Sequence, residues 1–193
     1  MKYHNHESEL EVEQRTNSET YVKLSRDRII FISEDFTPEM ASEVSALLLY
    51  YDKKDHNEPI KIYINSSGGD GTALVNIYDV VQMIKAPVST TCIGKCYSAG
   101  AVLLAAGSKG MRYAFKNSNI MIHGIQCIFP LPGHDVIASK KYYDLLISYN
   151  DSIMKMLAKH TNHPFKKVKE DCMQDVYMTA LEAKKYGIID HVI

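Results

Sequence analysis

Val88-Ser89-Thr90-Thr91-Cys92-Ile93 is a run of strand character. After the link Gly94-Lys95-Cys96-Tyr97-Ser98 it gives way to Ala99-Gly100-Ala101-Val102-Leu103-Leu104-Ala105-Ala106, a helix of small and aliphatic residues. A strand that passes through a short turn into a helix is the repeating unit of α/β sheets. The same unit recurs upstream. Ile60 to Ile64 alternates with Lys61 and Tyr63 as a strand, and Asn65-Ser66-Ser67-Gly68-Gly69 turns it into a helix whose apolar face is Leu74, Ile77, Tyr78 and Val81 and which stops before Pro87. Ile29 to Ile32 then reads as a short strand, and Thr37-Pro38 as an N-cap with proline at the first helical position, ahead of an apolar face of Val44, Leu47, Leu48 and Tyr51. Downstream, Ile120 to His123 reads as another strand. This succession predicts an α/β fold with right-handed crossovers.

Ser98 stands at the helix start of the second unit, and His123 at the end of the next strand. A helix start points unpaired backbone N–H groups at anything anionic nearby, and the Gly-rich turn at Gly68-Gly69 offers a second set. Nucleophile, base and oxyanion donors are therefore all available. Each has a plain structural alternative: Ser98 as an N-cap, His123 as a hydrogen-bonded strand-end residue, Gly68-Gly69 as an ordinary turn. Ser98 does not sit in a G-x-S-x-G elbow, because Cys96 occupies the first glycine position.

A chain of 193 residues, 46% hydrophobic and 23% charged, is long enough for one sizeable core. A net charge of −1 gives no electrostatic case for nucleic acid or an anionic membrane surface. No apolar stretch approaches the ~20 residues that span a bilayer. The polar first 20 residues show neither a secretory nor a transit pattern. Cys92, Cys96, Cys127 and Cys172 read as reduced thiols of a cytoplasmic protein. Cys92-x-x-x-Cys96 and His160-x-x-His163 lack the further ligands of a zinc site, so no metal is expected.

From Asp135 to about His160 runs a long helix with Tyr143, Leu146, Ile147, Ile153, Met154 and Leu157 as its apolar residues. The two prolines of Gln126 to Gly133 exclude a regular central strand, so an edge or loop is expected. Thr179 and Glu182 have capping-box spacing, and Gly187 closes the last helix.

The runs Tyr63-Ile64-Asn65-Ser66-Ser67-Gly68-Gly69, Ile77-Tyr78-Asp79, Val88 to Gly94, Ser98-Ala99-Gly100-Ala101, Asn117-Ser118 and Met121-Ile122-His123 keep an order and spacing, from about Val12 to the C-terminus, that resembles the ClpP family of proteolytic subunits of ATP-dependent Clp proteases. The resemblance implies a ClpP/crotonase-type α/β fold of repeated β-β-α units with a protruding handle helix. It implies an axial N-terminal segment over 1–20 and a single peptidase domain over 21–193. It further implies a Ser-His-Asp endopeptidase with Ser98 as nucleophile, His123 as base and Asp175 as acid, and with the backbone N–H groups of Gly69 and Ala99 as oxyanion hole. The residues alone leave Glu170, Asp171 and Asp190 open as alternatives to Asp175. Tyr63 matches part of the family's docking site for the ATPase, against the plainer reading of a half-buried strand aromatic. The implied partners are other copies of the chain, in heptameric rings stacked as a tetradecamer, a Clp-type AAA+ unfoldase and unfolded polypeptides. No cofactor is expected in this subunit, ATP being used by the unfoldase, and the chain has no G-x-x-x-x-G-K-[ST] run.

Four departures mark the chain. Ser67 replaces the usual proline, Asp70 a small apolar residue, and Phe129-Pro130-Leu131-Pro132 a Gly-rich stretch, while Met173-Gln174 stands where an acid-Arg pair contacts the opposite ring. These suit a divergent or phage-encoded member. Two other functions compete with the peptidase: a non-proteolytic ring or assembly subunit, and a crotonase-type acyl-CoA enzyme, which would not need Ser98 and His123 together.

Overall fold

Strand β3 (Val88–Tyr97) is the spine of the molecule. Its first residues are buried on both faces, as a strand flanked by helices and by two neighbours must be. In this computed structural model, which describes residues 19–126 and 135–193, β3 pairs in parallel with β2 (Ile60–Ser66) on one side. On the other side it serves two strands in succession. Thr90 to Cys92 pair with β4 (Arg112–Ala114), and Lys95 to Tyr97 pair with β5 (Asn119–Ile122). The change of partner falls at Gly94, whose φ of +73° is open to glycine at little cost. The sequence reading ends this strand at Ile93; the chain instead bends at Gly94 and continues to Tyr97.

The sheet is completed by β1 (Ile29–Ile32) beside β2, β7 (His191–Val192) beside β4, and β6 (Val176–Thr179), which pairs antiparallel with β5. All other pairings are parallel, so the fold is the expected α/β type. Helical residues 19–26 (α1) precede β1. α2 (Pro38–Lys54) and α3 (Gly71–Met83) follow β1 and β2, and both begin on side-chain caps, Thr37 and Asp70. Val44, Leu48 and Tyr51 of α2 are buried as expected, with Leu47 at the core margin. The predicted face of α3 is buried throughout.

α4 (Ala99–Ala105) is buried on every side, which explains its composition: a helix enclosed all round carries no polar face. α5 (Val136–Thr161) divides into two parts. Its C-terminal half buries Ile153, Met154 and Leu157, whereas Val136, Ile137, Tyr143, Leu145 and Ile147 are exposed. Tyr143 and Ile147 therefore lie outside the core that their spacing suggests, and the N-terminal half stands away from it. α6 (Phe165–Asp171) leads to β6, and α7 (Ala180–Tyr186) carries the predicted capping box and the αL cap at Gly187.

One ion pair locks the far end of the sheet. Arg112, 6% exposed, meets both carboxylate oxygens of Asp190 at 2.7 and 2.9 Å and donates to the Ala105 and His160 carbonyls, joining β4, α4, α5 and the approach to β7. The expected axial segment, apart from residues 19–20, and the proline-containing stretch 127–134 with Cys127 lie outside the described residues.

Candidate active site

The two turns that follow β2 and β3 pack against one another. A Cβ on Gly68 would lie 2.7 Å from the Ser98 Cβ and 3.2 Å from the Ala99 nitrogen, so only glycine lets the first turn close on the second. Ser66 Oγ steadies this turn by accepting from the Gly68 N–H. Gly69, at φ +140°, is held by Phe36. The Phe36 N–H donates to Gly68 O at 2.7 Å, and the Asp70 N–H donates to Phe36 O at 2.8 Å. This bridge skips the Gly69 N–H, which has no hydrogen-bond acceptor among the described residues. The Ala99 N–H is likewise unpaired at the start of α4.

Ser98 has φ +53° and ψ −118°, a strained conformation for a residue with a Cβ. Its N–H donates to Met121 O at 2.8 Å, and its carbonyl accepts the first bonds of α4. Its hydroxyl makes no cap hydrogen bond. The plain N-cap reading of Ser98 is thus not what the geometry gives: the side chain is left free on a strained elbow.

His123 follows β5 directly, one residue beyond the strand end. Its position is fixed by the residues after it, since the Gly124 N–H donates to Cys172 O and the Ile125 N–H to the Asn150 side chain, each at 2.8 Å. His123 Nδ1 lies 3.1 Å from Asp175 Oδ1. An Nδ1–H donor there leaves Nε2 as the acceptor on the opposite edge of the ring. The other carboxylates are committed elsewhere. Asp190 holds Arg112, Asp171 takes Lys167 and the Tyr186 hydroxyl, and Glu170 lies 3.9 Å from Lys166.

Ser98 and His123 line one cleft of about 600 Å³, whose walls include Asp70, Tyr142, Leu145 and Tyr149. A hydroxyl, an imidazole oriented by a carboxylate, and two unpaired N–H groups are the components of acyl transfer through a covalent intermediate. Asp70 makes no hydrogen bond to either free N–H group and is turned to its own helix. Its Oδ1 caps α3, accepting from the Ala73 N–H at 2.8 Å and from the Thr72 hydroxyl, and these two bonds hold the carboxyl below the usual carboxylate range.

The remaining candidates lie elsewhere. Tyr63 is half-buried, stacked on Phe31 with ring centroids 6.1 Å apart on β2 and β1. Cys92, Cys96 and Cys172 are free and buried. His160 accepts from or donates to the Tyr78 hydroxyl at 3.0 Å, and His163 packs on the Tyr186 ring. No group of His, Cys, Asp and Glu able to hold a metal occurs among the described residues, and none of their helices is long and apolar enough to cross a membrane. Asn150, which fixes the chain beyond His123, is not foreseen from sequence. An asparagine in mid-helix carries no local signal of the strand end it serves.

Comparison with known families gives a match over most of the chain. The family model described as Clp protease matches residues 12–193, which takes in both turns, the His123 strand end and the Asp175 region. The chain belongs to the Clp protease family and is a peptidase of ClpP type.

Proposed function

We propose that this chain is the proteolytic subunit of a Clp protease, a serine endopeptidase whose Ser98 attacks the peptide carbonyl while His123 takes its proton and Asp175 orients the imidazole. A serine hydroxyl is a weak nucleophile at neutral pH and needs an adjacent base. The carboxylate holds that base in the productive tautomer and stabilises the imidazolium formed on attack. The oxyanion is received by the N–H groups of Gly69 and Ala99, whose donors require no reorganisation, each worth about 10²–10³ in kcat at comparable sites. His123 then protonates the leaving amine, and water enters along the same path to release the acyl group.

One observation carries this reading. Ser98 is held at positive φ with its hydroxyl unspent, in the same cleft as a histidine that reaches a carboxylate at 3.1 Å. Strain of about 1–3 kcal/mol persists where a site requires it. A crotonase-type acyl-CoA enzyme would use the two N–H groups but has no need of the His123–Asp175 pair.

The family also supports the finer reading of a chamber. Copies of the chain form heptameric rings, stacked in pairs, and an AAA+ unfoldase of Clp type spends ATP to feed unfolded polypeptide into it. This subunit itself uses no cofactor. The apolar residues exposed on the first half of α5, Val136, Ile137, Leu145 and Ile147, are consistent with burial against another copy. The test pairs native mass measurement with digestion of a folded and an unfolded protein. A fourteen-subunit species that spares the folded protein until a Clp-type unfoldase and ATP are added is the expected result. A monomer that cuts both equally would refute the chamber while leaving the serine chemistry standing.

A further inference from the structure

Among the described residues that line the cleft there is one carboxylate and no lysine or arginine. Asp70 is exposed, lines the cleft with Ser98 and His123, and directly follows Gly69 in the chain. Only Oδ1 is occupied by the α3 cap; Oδ2 makes no hydrogen bond among the described residues. Among the described lining residues no lysine or arginine offsets the negative charge of Asp70.

The opposite side of this corner is built from long apolar and aromatic groups. Tyr149 lies so close to the start of α3 that a Cβ on Gly71 would stand 3.0 Å from its ring, and Tyr142, Leu145 and Met154 extend the same wall. The Tyr149 hydroxyl is buried without a hydrogen-bond partner. Its pKa is raised by burial and then by the charges of Asp70 and Asp79, so the carboxylate field is felt across the corner.

We propose that Asp70 is a specificity-determining residue that directs Ser98 to peptide bonds whose carbonyl is supplied by a lysine or arginine. The proposal rests on the serine reading above. If the attacked carbonyl oxygen sits on the Gly69 N–H, the side chain of the residue that owns that carbonyl branches from the adjacent Cα. Asp70, the next residue of the turn and a lining residue of the same cleft, is then within reach of that side chain, consecutive Cα atoms being only about 3.8 Å apart. A basic side chain fits both halves of the corner. Its methylene stem covers the Tyr149 and Leu145 surface, while its charged head donates to Asp70 Oδ2. A neutral aliphatic side chain satisfies the wall and leaves the carboxylate unpaired. An acidic one meets like charge.

The test uses the full-length protein and three fluorogenic peptides that differ only in having Lys, Leu or Glu at the residue whose carbonyl is attacked. Asp70→Asn removes the charge and keeps a cap-competent side chain, and Asp70→Ser is a second neutral, cap-competent variant. Labelling of Ser98 by an uncharged fluorophosphonate is followed in parallel. The expected result is that kcat/KM follows Lys above Leu above Glu in the unmodified protein. Both variants should lower the Lys-to-Leu ratio about tenfold, equivalent to about 1.4 kcal/mol, and the Lys preference should shrink as salt is raised. An unchanged ratio with Ser98 still labelled would overturn the proposal and leave the peptidase reading intact. An equal rise for all three peptides would also overturn it, because Asp70 would then act on the oxyanion and not on the side chain. If the unmodified protein neither labels nor cleaves, the serine reading falls and the proposal with it.

Discussion

Asp190 and Asp175 lie fifteen residues apart and each faces a basic side chain, but they stand in opposite surroundings. The Asp190 carboxylate is 16% exposed and spends both oxygens on Arg112 and on the Gly110 and Arg112 N–H groups. The Asp175 carboxylate is 43% exposed and touches His123 through one oxygen at 3.1 Å, with the Tyr177 hydroxyl 3.5 Å from the other. The first pair ties four elements together and has nothing left to offer a substrate. The second is loosely held and adjoins the cleft. A carboxylate saturated by fixed partners stabilises the fold; one that orients a single mobile proton carrier beside open space is suited to chemistry.

Exchanging the two acids for amides should break this contrast most sharply. Asp175→Asn is expected to lose roughly 10⁴ in kcat with an unchanged thermal midpoint, because the imidazole is held in the wrong tautomer. Asp190→Asn is expected to do the reverse, costing about 3–5 kcal/mol in denaturant-measured stability by leaving the Arg112 guanidinium buried without its counter-charge, while the folded fraction keeps its specific activity. Loss of activity without loss of stability in Asp190→Asn would exchange the two roles.

A pair of glycines sharpens the same distinction. Gly68→Ala places a methyl group 2.7 Å from the Ser98 Cβ on a backbone at φ +101°. On the serine reading, displacing Ser98 by an ångström costs on the order of 10² in rate. Gly110→Ala, at φ +84° with nothing within 4 Å of the new methyl, should cost about 1 kcal/mol of stability and leave kcat alone. Peptide hydrolysis and melting curves on both variants decide the matter.

The smallest effect concerns pH. Burial first, and then the charges of Lys159 and Arg112, push His160 down to about 4 from 6.5, so the folded protein keeps this imidazole neutral beside the Tyr78 hydroxyl. Its contribution to stability is fully present above pH 6.5 and is lost as pH falls from 6.5 towards 4. For Asp190, burial alone would raise the carboxyl, but the Arg112 charge and hydrogen bonds outweigh it and hold the group below its usual range, so its own loss begins only below pH 3.8. His160→Gln should therefore flatten the decline in denaturation midpoint between pH 6.5 and 4. An unchanged slope would assign that decline to other groups.

Much of the fold is legible in the sequence because local patterns and tertiary burial agree. Strands at Ile29 and Ile60, the Thr37 cap, the α3 face and the Thr179–Glu182 box all follow from spacing and composition. Gly94 is not legible: a glycine after Ile93 looks like a strand end, whereas here it lets one strand serve two neighbours in turn. Nor is the exposure of Tyr143 and Ile147, whose spacing matches residues deeper in the same helix. For the site, Ser98 and His123 announce themselves by following strands, but their meeting in one cleft depends on Gly68 closing on Ser98 across thirty residues of chain. Asp175 is chosen among four nearby carboxylates only by geometry or by family likeness, since one aspartate in a polar segment looks like another.

The most direct test of the central claim is hydrolysis of a fluorogenic peptide by purified Ser98→Ala protein. A nucleophile that works as one unit with His123 and Asp175 predicts a loss on the order of 10⁶ in kcat with the fold and assembly retained. Turnover persisting within tenfold of the unmodified protein would contradict the account.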